Sequence, residues 1–280
     1  MSVMRPSEIK EILDGAQSPL SFAVAERDRD TLNMVREALR KRDVMLAFQP
    51  IVQTQRPDRP AFYEGLIRVL DSSGRVIPAK DFIDVCETNE LGRILDCLAL
   101  EMGLEALAAN PALRLSINMS ARSIGYPRWK ETLSQGLARH RHVAERLILE
   151  ITESSAMIMP DLVVVFMNEL QSQGISFALD DFGAGYTAFR YLKDFYFDMI
   201  KIDGQFISGI ARSPDNQVLV QALVSIAQHF EMFTVAEYVE TLEDAEYLAS
   251  IGIDCLQGFY FGAPTIHPIW ENAQIRRAAS

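Results

Sequence analysis

Cysteine, histidine and positive charge are all scarce in this chain, and each scarcity removes a class of function. The three cysteines, Cys86, Cys97 and Cys255, are an odd number with no CxxC spacing. That argues against a disulfide framework or a zinc ribbon and fits core thiols in a reducing cytoplasm. The four histidines, His140, His142, His229 and His267, stand apart from every acidic motif and are expected at the surface or in the core. Basic residues number 27 against 38 acidic ones, a formal net charge of −11, with a pI near 4.9. This balance is wrong for a sequence-independent grip on DNA or an anionic membrane. No apolar run approaches the ~20 residues of a membrane span, and no apolar stretch near the start precedes a small-residue cleavage site. The expectation is a cytoplasmic protein without a membrane span.

What is present is core-forming material: 49% hydrophobic residues over 280 positions, enough for one large domain or two small ones. Residues 1–43 carry two polar helical patterns, Ser7–Leu13 and Asp28–Arg42, and are expected to cap the domain that begins at residue 44. From Met45 onward, strand-like and helix-like segments alternate. The strand candidates are Met45–Ile51, Ala61–Val69, Leu113–Asn118, Leu147–Ile151, Ser176–Asp180, Met199–Ile202, Phe233–Val235 and Cys255–Phe259. Helices fill most gaps: Asp161–Gln173 stopped by Gly174, Pro214–Phe230 with Ser213 as N-cap, and one that opens on Thr241 and Asp244 and ends at Gly252. Interleaving of this kind suits an α/β fold, a TIM-like (α/β)8 barrel, with an open doubly wound sheet as the alternative. The gap Val52–Pro60 is too short for a crossover helix, so the first strand is expected to lie antiparallel to the second.

The stretch Ser176–Asp203 concentrates the chemistry. An apolar strand ends in Asp180 and Asp181, a loop carries Gly183 and Gly185, and a second strand ends in Lys201, Ile202 and Asp203. By itself the acidic pair also fits a solvated turn. The glycines loosely match a dinucleotide fingerprint with Asp203 downstream, although the two aspartates ahead of them would repel a pyrophosphate. Asp181-Phe182-Gly183 mimics the kinase triplet, but no HRD loop precedes it.

The other strands weigh against these readings. At or near their C-terminal ends they carry Glu64, Asn118, Glu150, Glu237 and Gln257, and in a barrel those ends meet at one mouth. Glu64 is the least secure, lying within its strand. So many carboxylates in apolar surroundings need cations to offset their repulsion. Five carboxylates and an amide, all hard oxygen donors, select Mg2+ or Mn2+ over zinc. Carboxylates sufficient for two ions point to in-line displacement at phosphorus, with Lys201 placed to orient water or to neutralise developing charge.

These motifs resemble the EAL-domain phosphodiesterases, which hydrolyse cyclic di-GMP. The resemblance runs from about Val44 to Pro264, over FQPIV at Phe48, EGLIR at Glu64, SINMS at Ser116, LEITES at Leu149, DDFGAGYT at Asp180, KID at Lys201, AEYVET at Ala236 and QGFYF at Gln257. It implies an N-terminal extension over 1–43 and a phosphodiesterase barrel over 44–280. It also implies metal ligands at Glu64, Asn118, Glu150, Asp180, Asp181 and Glu237, with Asp180 bridging two ions. Lys201 would hold the nucleophilic water, and Gln257 would complete the pocket. Glu153 would brace the glycine loop, and Gln49, Arg68, Asp203 and Glu240 would surround the dinucleotide, Arg68 as a phosphate clamp.

The family's homodimer, in which that loop couples the interface to the metal site, is implied as well. Against the pattern, Gly65 stands for alanine, Val69 for tryptophan, Ala184 for threonine, Gly204 for arginine and Tyr238 for glycine. The expected activity is hydrolysis of cyclic di-GMP to linear pGpG. The alternative is an inactive receptor that binds the dinucleotide and signals through a protein partner, because Tyr238 directly follows Glu237.

Overall fold

The computed structural model describes residues 19–184, 192–268 and 270. The pattern Ser7–Leu13 and the glycine-loop residues from Gly185 to Tyr191 lie outside them.

Nine strands form one sheet: β1 (Val44–Gln53), β2 (Arg56–Leu70), β3 (Val76–Pro78), β4 (Leu115–Asn118), β5 (Leu147–Thr152), β6 (Ser176–Phe182), β7 (Met199–Ile202), β8 (Phe233–Ala236) and β9 (Cys255–Gln257). Their order is β1-β9-β8-β7-β6-β5-β4-β2-β3, and β1 also pairs with β2, which closes eight strands into a barrel and leaves β3 as a flap on β2. β1 runs antiparallel to both of its neighbours, β2 and β9. The other barrel pairs are parallel.

All eight strands expected from the sequence are present, and so is the antiparallel first strand. Three details differ. β2 starts at Arg56 because the β1–β2 hairpin continues through the proline-rich gap, with Pro60 opposite Val52 and Arg56 opposite Gln53. β9 stops at Gln257, and β3 has no counterpart among the expected strands. Ser213 sits in N-cap position, yet its side chain makes no capping hydrogen bond. Thr241 does cap its helix, accepting from the Asp244 amide at 3.1 Å. Helix Pro19–Lys41 starts well before the expected Asp28 and buries Val35 and Ala38 against the barrel's core.

The packing shows why the polar strand ends converge. Side chains in a strand alternate, so residues two apart share a face. Ile51, Phe62, Ile148, Ala178 and Val235 form a closed apolar cluster, with Met199 and Cys255 packed against it. Each of Phe62, Ile148, Ala178, Met199, Val235 and Cys255 lies two residues before a polar one: Glu64, Glu150, Asp180, Lys201, Glu237 and Gln257. On antiparallel β1 the order reverses, and Gln49 precedes Ile51. The inward-facing layer just above the apolar plug is therefore polar all around, as successive layers of a filled barrel require.

Candidate functional site

Lys201 stands at the centre of that polar layer, and its side chain is 1% exposed. Its Nζ lies 2.8 Å from Glu150 Oε2, 2.9 Å from Asp180 Oδ1, 2.8 Å from Glu237 Oε1 and 3.5 Å from Glu64 Oε2. Glu150 is bound through an aligned hydrogen bond, whereas Asp180 Oδ1 is near enough for an ion pair without hydrogen-bond alignment. Glu64 is held from its other side. Asn118 Nδ2 donates to Oε1 at 2.7 Å, and Gln257 Nε2 donates to Oε2 at 2.6 Å. Gln257 also reaches Gln49 Oε1 at 3.2 Å, and Gln49 donates to the Gly262 carbonyl at 3.1 Å. Gln49 and Glu64 face each other across the β1–β2 pair.

Asp180 and Asp181 are consecutive in β6 and would point to opposite faces in a regular strand. The β6–β7 register slips between Leu179 and Phe182, and Asp181 takes φ +53°. This irregularity, inside the strand and not at its end, turns both carboxylates the same way. Asp180, Asp181 and Glu237 each present an oxygen within 4.8 Å of the others. Beyond them Gly183 adopts φ +96°, which favours glycine, and its amide donates to Glu153 Oε2 at 3.1 Å.

The electrostatics follow from one buried cation among many carboxylates. Burial pushes the Glu150 carboxyl up, the Glu64 charge adds to this, and Lys201 only partly offsets both, leaving it at about 8. Burial likewise raises Glu237 well above the carboxylate range, despite Lys201. Asp181 is raised to about 6 by burial and by Asp180. Glu64 is the exception. Burial raises it, but Lys201 together with the hydrogen bonds from Gln257 and Asn118 brings it below the usual value. Burial works against the Lys201 ammonium, and the four carboxylates more than compensate, so its pKa is raised. No hydrogen-bond donor among the described residues reaches the buried Glu150 Oε1. A site whose carboxyls hold on to protons and keep a buried lone pair undonated is short of positive charge, and the donor set is hard oxygen. Both features fit divalent cations of the Mg2+ class.

Above the cluster opens a cavity of about 520 Å3. Nine residues singled out from the sequence line it: Gln49, Glu64, Arg68, Asp180, Asp181, Lys201, Glu237, Glu240 and Gln257. Asn118 and Glu150 are not among its lining residues, although each contacts a residue that is. Glu153 is buried behind β6, against the loop. Asp203 is also outside the lining and caps a short helix through the Gln205 amide at 2.7 Å. Arg68 is half-buried, with Nη1 on the Ile67 carbonyl at 2.9 Å. Lys80, in the helical turn Ala79–Asp81 that follows β3, lines the cavity and has no motif to announce it. Tyr238 also lines the cavity, at φ +53°, and Glu237 remains in contact with Lys201 regardless. None of the four histidines lines it, and the three cysteines are free thiols, each raised to about 11 by burial.

Residues 32–264 match the family model described as "EAL domain". The chain is 34% identical over 254 residues to cyclic di-GMP phosphodiesterase PdeF of Escherichia coli, covering 86% of this chain and 34% of that protein. To the bifunctional diguanylate cyclase/cyclic di-GMP phosphodiesterase MucR of Pseudomonas aeruginosa it is 31% identical, covering 86% and 36%. The chain thus spans about a third of the length of these relatives. Among solved structures, the PaMucR phosphodiesterase in complex with c-di-GMP superposes with a TM-score of 0.78 at 29% identity, covering 87% of this chain and 99% of that one. The Pseudomonas aeruginosa FimX EAL domain bound to c-di-GMP, at 23% identity and TM-score 0.77 over 85% of this chain and 97% of that one, is a likeness of fold alone.

Proposed function

The chain belongs to the EAL domain family, and from that premise we propose that it is a metal-dependent phosphodiesterase that opens cyclic di-GMP to linear 5′-pGpG. The observation that carries the reading is the ring of carboxylates around Lys201 at the floor of a cavity that also holds Arg68. Glu64, Asn118, Glu150, Asp180, Asp181 and Glu237 would hold two Mg2+ or Mn2+ ions. Bound there, the ions supply Lewis acidity toward the phosphodiester and the attacking water.

The chain's own residues do the rest. Arg68 presents a guanidinium fork suited to a phosphate oxygen pair. Lys201 keeps its charge and directs its N–H groups at the incoming water or at the oxygens gathering charge. Gln49, Asp203, Glu240 and Gln257 position the dinucleotide. Glu153 is a positioning residue, acting through Gly183. Water oxygen bonds to phosphorus and gives up one proton, the bond from phosphorus to the ribose 3′ oxygen breaks, and that oxygen leaves as the hydroxyl after taking up one proton, so that the two transfers balance.

The setting is proposed with the activity. Residues 1–43 serve as a helical extension that caps the barrel of 44–280, in a cytoplasmic protein. Self-association into a homodimer is proposed with it, and the exposed Val165 and Leu162, one turn apart on helix Pro160–Gln171, are apolar side chains that such an interface could cover. Among the described residues, no helix is long and apolar enough to cross a membrane.

Incubation of the purified protein with cyclic di-GMP and Mg2+ or Mn2+, followed by chromatography, tests the reading. Linear pGpG should accumulate with the wild type and not with Glu64→Ala. Tight binding without any pGpG would replace the enzyme by the receptor reading, in which a protein partner relays the signal.

A further inference from the structure

Tyr238 and Gly204 are 34 positions apart in sequence and interlock in space. A Cβ built on Gly204 would lie 2.2 Å from Cδ2, 2.5 Å from Cγ and 2.8 Å from Cβ of Tyr238. Only a glycine leaves room for this ring in this position. The tyrosine itself sits at φ +53°, in the left-handed region that costs a non-glycine residue free energy. Burial does not recover that cost, because the residue is 63% exposed. The backbone that carries it is firmly mounted all the same. Val239, the next residue, donates its amide to the Gln257 carbonyl at 3.0 Å and accepts from the Tyr260 amide at 3.2 Å.

A strained backbone, a rigid mount and a largely open ring together describe a side chain held out for something that is not part of the fold. What it is held over is the cavity, which Tyr238 lines beside Asp181, Glu237 and Glu240. Among carboxylates, an uncharged aromatic face is the surface that suits a flat heteroaromatic ring. A base stacks on an aromatic side chain with little dependence on its identity, since every base has a π-face.

Resting on the phosphodiesterase reading, we infer that Tyr238 is a ligand-contacting residue: its ring stacks on one purine base of the bound dinucleotide, and Gly204 exists as the space that lets it do so. The pair thus acts as one recognition element built from two segments, the start of the short helix after β7 and the loop after β8.

The test measures binding of cyclic di-GMP in the presence of Ca2+, which takes the same hard oxygen ligands and organises water for attack less strictly, together with thermal unfolding of each variant. Tyr238→Phe keeps the ring and should bind like the wild type. Tyr238→Leu keeps bulk without a π-face, Tyr238→Gly removes both, and each should weaken binding about tenfold, the scale of one stacked base. Tyr238→Gly also relieves the left-handed strain, so its melting temperature should not fall. A loss of affinity without a loss of stability is not what a merely structural residue gives. Gly204→Ala should weaken binding in the wild-type background and have no effect in the Tyr238→Gly background.

Equal affinity of the wild type and Tyr238→Gly, or an effect of Gly204→Ala that ignores which residue stands at 238, would overturn the inference and leave the phosphodiesterase reading intact. Failure of the wild type itself to bind cyclic di-GMP would overturn both.

Discussion

Replacing Lys201 by methionine removes the one ammonium that holds the carboxylate cluster together while keeping an unbranched side chain of similar length. The lysine is 1% exposed and its Nζ lies within 2.8–3.5 Å of Glu64, Glu150, Asp180 and Glu237. Taking one partner from a buried ionic network costs about 3–5 kcal/mol, because the charges left behind have no counter-ion. At about 2–4 °C per kcal/mol for a domain of this size, the melting temperature in EDTA at pH 8 should drop by roughly 10 °C.

The sign with pH is fixed by the same carboxyls. Glu150 and Glu237 already have folded-state values above their unfolded ones, and loss of Lys201 raises them further. Their folded forms therefore bind protons more tightly than the unfolded chain does, and stability falls as pH rises between the unfolded and folded values. The gap between Lys201→Met and the wild type should shrink at pH 5 and widen at pH 8. Mg2+ or Mn2+ should narrow it at pH 8 by replacing the missing charge. Scanning calorimetry at both pH values, with EDTA and with Mg2+, measures all four conditions. A Lys201→Met protein as stable as the wild type in EDTA at pH 8 would refute the reasoning, since the cluster would then need no counter-charge.

Gly65→Ala restores the residue usual in the family, yet here the new Cβ would lie 2.6 Å from Ile117 Cδ1, in a strand pair where Ile117 is buried. The single variant should lose about 1–3 kcal/mol by denaturant unfolding, and Ile117→Val should recover most of it; additive losses in the double variant would contradict the packing. Asp96 is a separate case, a buried carboxyl that accepts from the Ser120 amide at 3.0 Å and from Ser123 Oγ at 2.5 Å and is nonetheless pushed by burial from 3.8 to about 7. Its contribution to stability falls as pH climbs from about 4 to 7, so Asp96→Asn should gain on the wild type over that range by at most about 4 kcal/mol, and a pH-independent difference would contradict the assignment.

Much of this fold is legible in the sequence because most barrel strands are short, apolar and buried on both faces, and because Glu64, Glu150, Asp180, Lys201, Glu237 and Gln257 each sit two positions after an apolar residue that fills the barrel. The period of two reads directly from Ile148 and Glu150, Ala178 and Asp180, or Val235 and Glu237. It resolves Glu64 too, whose place within a long strand makes sense because β2 runs beyond the barrel at both ends. β3 leaves no trace in the pattern because three residues are too few to carry a period. Arg56–Pro60 reads as a loop because its prolines and arginines are exposed on the outer part of a hairpin, where backbone pairing with β1 and not burial makes the strand.

Other features are beyond any one-dimensional reading. Sequence shows Gly204 and Tyr238 only as two separate departures from a family pattern, and no local signal says that one occupies the other's space. The backbone slip at Asp180 and Asp181 is likewise a property of the β6–β7 register. It brings the two carboxylates together for a different reason than the end of a strand.

The most direct test of the site as a phosphodiester-cleaving centre is turnover of cyclic di-GMP in 18O-labelled water with Mg2+ or Mn2+, read by mass spectrometry of the product. Linear pGpG carrying one 18O on its 5′-phosphate per cleavage, and none formed by Asp180→Asn, is the expected result. Unchanged cyclic dinucleotide, or pGpG without label, would contradict it.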